Sequence, residues 1–246
     1  MTPLLWLVAT VVMAAAASLH ASVGFGANLL AGPLLVVLDP DLVPGPIVLT
    51  VLVINLAVMR REPHPDVSSH HPWRPLRWPI VGLLPGSVLG ALTVAAVDAD
   101  QLALLLSALV LTVTVAVAAG LSVDRTPSTM FGAGVASGYL SATGGIGGAA
   151  MALVHSDVEG PELRRTLSRF LAVTAAASVV SLAAVGELGP TELRYAIGLL
   201  PGVVAGLAAA ELIRPHVDRG RVRPIVLGVI ATSAAVVLAR SLLALG

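Results

Sequence analysis

Apolar stretches long enough to cross a bilayer recur along this chain, and no other feature narrows its fold as far. Plain apolar spans cover roughly 44–59, 76–97, 101–121, 166–185, 193–213 and 224–244. Each approaches the ~20 residues that a helix needs to cross a bilayer core. At these lengths only a helix satisfies its own backbone in lipid. A soluble domain of this size needs charge at about a quarter of its positions, whereas charged residues make up 11% here. The reading is an all-α polytopic membrane protein with the lipid bilayer as its solvent.

The chain also repeats itself. Gly82-Leu-Leu-Pro-Gly-Ser-Val-Leu-Gly90 returns as Gly198-Leu-Leu-Pro-Gly-Val-Val-Ala-Gly206. Gly24-Phe-Gly26 answers Gly145-Ile-Gly147, Asp39-Pro40 sits where Gly160-Pro161 falls, and Val97-Asp98 answers Val217-Asp218. The order of these marks is the same in both halves, so the spacing predicts a duplication. Residues 1–120 form the first repeat, 121–127 a cytoplasmic linker and 128–246 the second repeat. Each repeat opens with a Gly-rich apolar segment and continues with three plain spans. The first Gly-rich segment, Leu4 to Leu38, would be about 50 Å long as one helix at 1.5 Å per residue, too long for a single crossing. Its middle, Ser22-Val-Gly-Phe-Gly-Ala-Asn28, is a poor helix interior. Its counterpart is broken by Gly144-Gly-Ile-Gly-Gly148.

Arginine placement decides between a kinked crossing and a hairpin. If each Gly-rich segment crosses once, there are eight crossings. The two sides then hold six and seven loop arginines, and the positive-inside rule specifies no orientation. If each returns to its own side, six full crossings remain. Arg60, Arg61, Arg74, Arg77, Arg125, Arg164, Arg165, Arg169, Arg214, Arg219, Arg221 and Arg223 then share the inside, against Arg194 and Arg240 outside. The outer loops are acidic, with Asp39, Asp41, Asp98, Asp100, Glu187 and Glu192. The hairpin reading follows. Three crossings per repeat is an odd number, so the two repeats are expected to lie upside down relative to each other, with both termini outside. Many secondary transporters follow this inverted-repeat plan.

Several function classes drop out. Basic and acidic residues balance at 14 each, which gives a nucleic-acid partner no support. There is no cysteine, so thiolate chemistry and Cys-based metal sites are excluded. No His-Glu-x-x-His or Gly-x-Ser-x-Gly pattern marks a catalytic centre, so no enzyme, metal or cofactor is expected. His64, His70 and His71 share a Pro-rich loop read as solvated. The N-terminus has no basic flank, so a cleaved signal peptide is not expected.

Gly24-Phe-Gly-Ala-Asn-Leu-Leu-Ala-Gly-Pro33 resembles the Gly-Phe-Gly-Gly-Gly…Pro signature that opens the TauE/SafE sulfite exporter family. Gly144-Gly-Ile-Gly-Gly148 resembles its second copy, with Val154 near the place of the closing Pro. The repeated Gly-Leu-Leu-Pro-Gly fits a later helix of that family. The resemblance spans essentially the whole chain. It implies a transporter of small sulfur-containing anions, sulfite or an organosulfonate, in a bacterial cytoplasmic membrane.

The expected site lies at the two breaks. A half-helix N-terminus aimed into the bilayer offers unpaired N–H groups and a dipole to an anion, and glycine lets an oxyanion approach the backbone. The candidate substrate-binding residues are Ser22, Gly24, Gly26 and Asn28 in the first repeat, and Ser141, Thr143, Gly144, Gly145, Gly147 and Gly148 in the second. Ser18 and Ser137 add nearby hydroxyls. Two tips meeting at the midplane are expected to hold an anion without a buried arginine. His20, at membrane depth, is the candidate for proton coupling. Asn55, Tyr139 and Arg169 are candidates for the pathway, while Arg164 and Arg165 read as topology anchors. Gly82, Gly86, Gly90, Gly198, Gly202 and Gly206 read as packing positions, on a helix whose exposure also fits a homodimer. Transport by alternating access is the leading expectation. An anion channel with the same tips as a fixed filter is the alternative.

Overall fold

The computed structural model describes residues 2–61, 73–121, 123–155 and 160–217. The expected span 224–244 and the three loop histidines lie outside the described residues. Within them the chain forms nine α-helices and no strand. These are α1 (Pro3–Val23), α2 (Ala27–Leu38), α3 (Gly45–Arg61), α4 (Arg77–Ala96), α5 (Ala99–Ala118), α6 (Pro127–Gly144), α7 (Gly148–Val154), α8 (Gly160–Ala184) and α9 (Pro190–Val217). Among the described residues, six helical spans are long and apolar enough to cross a membrane: α1, α3 with the turn before it, α4 with the turn before it, α5, α8 and α9. This set differs from the sequence expectation, because α1 alone runs 21 residues, about 31 Å of helix. Its partner α2 has 12 residues.

Local chemistry explains where the Gly-rich segments start and stop. Thr2 caps α1, with its hydroxyl accepting from the Leu5 N–H, and Pro3 occupies the first turn, where a missing N–H costs nothing. Thr126 and Thr129 form a reciprocal capping box on α6, ahead of Pro127. Both helices end on glycines with positive φ. Gly24 closes α1 at φ 102° and Gly145 closes α6 at φ 69°, conformations that side-chain-bearing residues rarely adopt. Each break is followed at once by a new helix.

Packing pairs the broken helix of one half with the glycine helix of the other. Gly82, Gly86 and Gly90 of α4 lie against the backbone at Phe131, Val135 and Tyr139 of α6, and Gly134 and Gly138 of α6 answer against Pro79 and Leu83. In the same way Gly198, Gly202 and Gly206 of α9 meet Trp6, Thr10 and Ala14 of α1. Glycine every fourth residue removes the Cβ layer and lets the helix backbones touch. The third helices, α3 and α8, pack on each other.

These contacts fix helix direction. Residue numbers rise together along both glycine seams, so α1 runs parallel to α9 and α4 parallel to α6. Gly45 at the start of α3 faces Glu192 at the start of α9. Arg61 at the end of α3 donates to the Leu207 carbonyl (2.8 Å) and pairs with Glu211 (3.8 Å). Hence α3 is parallel to α9 as well. Against α8 it is antiparallel, since Gly45 faces Leu188, just past the end of α8, while Asn55 reaches the Leu171 carbonyl. Thus α1, α3 and α9 point one way. The helices α4, α6 and α8 point the other way, as Leu76 near Thr166 and Ser87 near Ser181 also require.

Candidate functional site

The two breaks meet. A Cβ on Gly145 would overlap the amide nitrogen of Asn28, and one on Gly148 would crowd Phe25. Asn28 stands in the first turn of α2, is 1% exposed, and finds no partner for either its Nδ2 or its Oδ1. An unpaired buried amide costs on the order of 1–3 kcal/mol and asks for an explanation. Beside it lies a small cavity of about 10 Å³, lined among others by His20, Gly26, Asn55, Ser141, Gly145 and Gly147. That is room for about one water.

His20 ties the first break together. Its Nε2 is 2.9 Å from Asn55 Oδ1 on α3, and its Nδ1 takes a long hydrogen bond (3.4 Å) from the Ala27 N–H. Acceptance at Nδ1 assigns the proton to Nε2, which donates to Asn55. Asn55 Nδ2 then donates to the Leu171 carbonyl of α8 (3.4 Å). The chain of bonds runs from α2 through α1 and α3 to α8. Asn55 is an interhelical bridge that also borders the cavity.

The candidates divide by place. Gly26, Ser141, Gly145, Gly147 and Gly148, with His20 and Asn55, line the cavity, and Asn28 abuts Gly145. Ser22 faces away, its hydroxyl bonded to the Ser18 carbonyl (2.7 Å). Gly24 faces Arg164 and Gly144 faces Leu106. Thr143 donates to the Tyr139 carbonyl in its own helix (2.9 Å), and Tyr139 lines neither cavity. Arg169 lies at a second, larger cavity of about 140 Å³ with Arg125, His155 and Glu162.

One expectation is corrected. Arg164 is buried, 5% exposed, and its Nη1 donates to the Ser22 carbonyl at the C-terminal end of α1 (3.0 Å). An arginine therefore does sit inside, against the first break. The reason is that α8 starts at Gly160 and not near 166. It takes the Arg-rich stretch into its first turns and turns Arg164 inward. A guanidinium there satisfies a terminal carbonyl and opposes the negative end of the α1 dipole. The sequence carried one signal for it, the arginine following the second Gly-rich segment at a spacing that a longer α8 would turn inward.

With both breaks, the glycine seams and the membrane-length helices in place, comparison with known proteins is decisive for the family. The model of the sulfite exporter TauE/SafE family matches residues 8–237. The chain belongs to the TauE/SafE sulfite exporter family. TauE/SafE is a family of transporters, and this member is a multi-pass membrane protein with its Gly-rich breaks inside the matched region. No curated protein and no solved structure matched the chain.

Proposed function

We propose that the protein is a secondary transporter that moves small sulfur-containing anions, sulfite or an organosulfonate, by alternating access, and that the anion sits between the two breaks. The carrying observation is Asn28. A buried amide with both polar atoms unpaired, in the first turn of α2, offers a donor at the positive end of that helix. The second break contributes differently. With seven residues, α7 has too few turns for an end effect of comparable size. Its glycines, with Gly145 across from Asn28, admit a close oxyanion approach. A cavity of about 10 Å³ is too small for a sulfur oxyanion, so binding requires the two breaks to part, as alternation between two openings demands.

The proposed topology is an inverted repeat with each Gly-rich segment re-entrant. Helix directions support it: α1 and α3 point one way, and their counterparts α6 and α8 the other. Parallel α1 and α3 require the chain between them to return. The lengths agree, because α2 spans about 18 Å and α7 about 10 Å, together near the ~30 Å of a bilayer core. The junction then lies on the Arg-rich side of the midplane, about 5 Å from it.

The test is flux in proteoliposomes together with a thermal-shift screen of sulfite, thiosulfate, taurine and sulfoacetate against carboxylate controls. Saturable flux and stabilisation by sulfur anions are expected, since a ligand bound to the folded state raises its apparent stability. Single-channel conductance would favour the channel reading. Stabilisation by carboxylates alone would overturn the substrate class.

A further inference from the structure

Among the described residues lining the cavity between the breaks, His20 is the one titratable side chain. It is 3% exposed and held at both nitrogens. Nε2 donates to Asn55 Oδ1 (2.9 Å), and Nδ1 accepts from the Ala27 N–H (3.4 Å). The second bond occupies the first N–H group of α2, next to the unpaired amide of Asn28. Its acceptor exists only while the imidazole is neutral. In the register that matches Gly24-Phe-Gly26 to Gly145-Ile-Gly147, Ser141 answers His20. The second repeat thus brings no titratable group to the same place.

The charges around the ring offer it no counter-ion. No carboxylate lines the cavity, and α2 contains no charged residue. On α8, Arg164 reaches the same end of α1, with Nη1 on the Ser22 carbonyl (3.0 Å). On α3, Arg60 and Arg61 lie in the last turn. On α9, Glu211 pairs with Arg61 (3.8 Å) and is more than half exposed. An imidazolium formed between closed breaks would therefore be a buried charge without a partner, which is costly. An anion held there supplies the opposite charge and offsets that cost.

We infer that a proton binds at His20 Nδ1 together with the anion, and that the two cross the membrane in one cycle. Protonation turns Nδ1 from an acceptor into a donor facing the Ala27 N–H. Two donors cannot bond each other, so the ring and the start of α2 separate and both N–H groups turn to the anion. The Nε2 bond to Asn55 persists throughout. When the anion leaves, the imidazolium loses its partner, gives its proton to water on the open side, and the Ala27 bond forms again. One proton and one anion move in the same direction. This coupling rests on an anion bound between the breaks.

The test is anaerobic titration calorimetry of sulfite on the full chain in detergent, in buffers of different ionisation enthalpy near neutral pH. Sulfite exchanges protons of its own there, so the reading is the difference between the parent and His20→Gln. The parent should take up about one proton more per anion bound, and its advantage in affinity should shrink by up to about tenfold for each unit of rise in pH. Should His20→Gln not fold, nitrogen NMR of the histidine-labelled parent decides. One of the six rings should pass from the neutral Nε2–H form to the doubly protonated form when sulfite is added. Sulfite binding with equal proton uptake in parent and variant, or with no ring changing form, would overturn the coupling and leave the site at the breaks standing. Asn28→Leu should lose sulfite binding and proton uptake together. Undiminished binding in that variant, or none in the parent, would instead overturn the site itself.

Discussion

At the residue scale, glycines that look alike in the sequence separate by what surrounds them. A Cβ on Gly86 would overlap the Val135 carbonyl, whereas one on Gly132 meets nothing within 4 Å. Gly86→Ala should therefore destabilise the protein by about 1–3 kcal/mol through overpacking. Gly132→Ala should lie within about 1 kcal/mol of the parent, on the stabilising side. Thermal unfolding in detergent reads both, and equal effects would contradict the seam. The packing role of the glycine triplets was legible, because four-residue spacing has a direct geometric meaning. The surroundings of Ser22 and Thr143 were not, because a hydroxyl in a helix can satisfy itself on a carbonyl one turn back, and nothing in the sequence says which way it turns.

At the element scale, the breaks were legible and their supports were not. Glycine pairs flanked by apolar residues announce a helix end, and Gly24 and Gly145 supply the positive φ expected of one. Arg164 was hidden, since an arginine at the head of a helix reads equally as a lipid-surface anchor. Its hydrogen bond to the Ser22 carbonyl makes it a clamp between α8 and α1. Arg164→Met should lower stability by about 1–3 kcal/mol by leaving a buried carbonyl unpaired, and Arg164→Lys should lose less. An unaltered unfolding temperature for the methionine variant would remove the clamp.

At the scale of the whole molecule, arginine counting and helix direction are independent supports for the proposed topology. The first uses loop charge alone and the second only contacts between helices. The absence of cysteine gives a clean background for labelling. Cysteines introduced singly at Asp98 and Glu187 should react with an impermeant maleimide from the same side, and one at Thr126 from the other. If the Gly-rich segments crossed fully, Asp98 and Glu187 would label from opposite sides. The depth of the junction could not be read from sequence, because it depends on how far α1 continues before Gly24 stops it and on the short length of α7.

The most direct measurement is made on Asn28→Leu, in which stability and flux are read on the same preparation. Replacing an unpaired buried amide by an apolar group of the same branched shape removes its desolvation penalty. The variant is expected to unfold at a higher temperature than the parent, by about 1–3 kcal/mol of stability, and to lose at least tenfold in sulfite flux. Such opposition is what a residue kept for ligand at the expense of stability produces. A variant that carries sulfite at the parent rate, or one that is less stable than the parent, would contradict an anion held at the meeting of the two breaks.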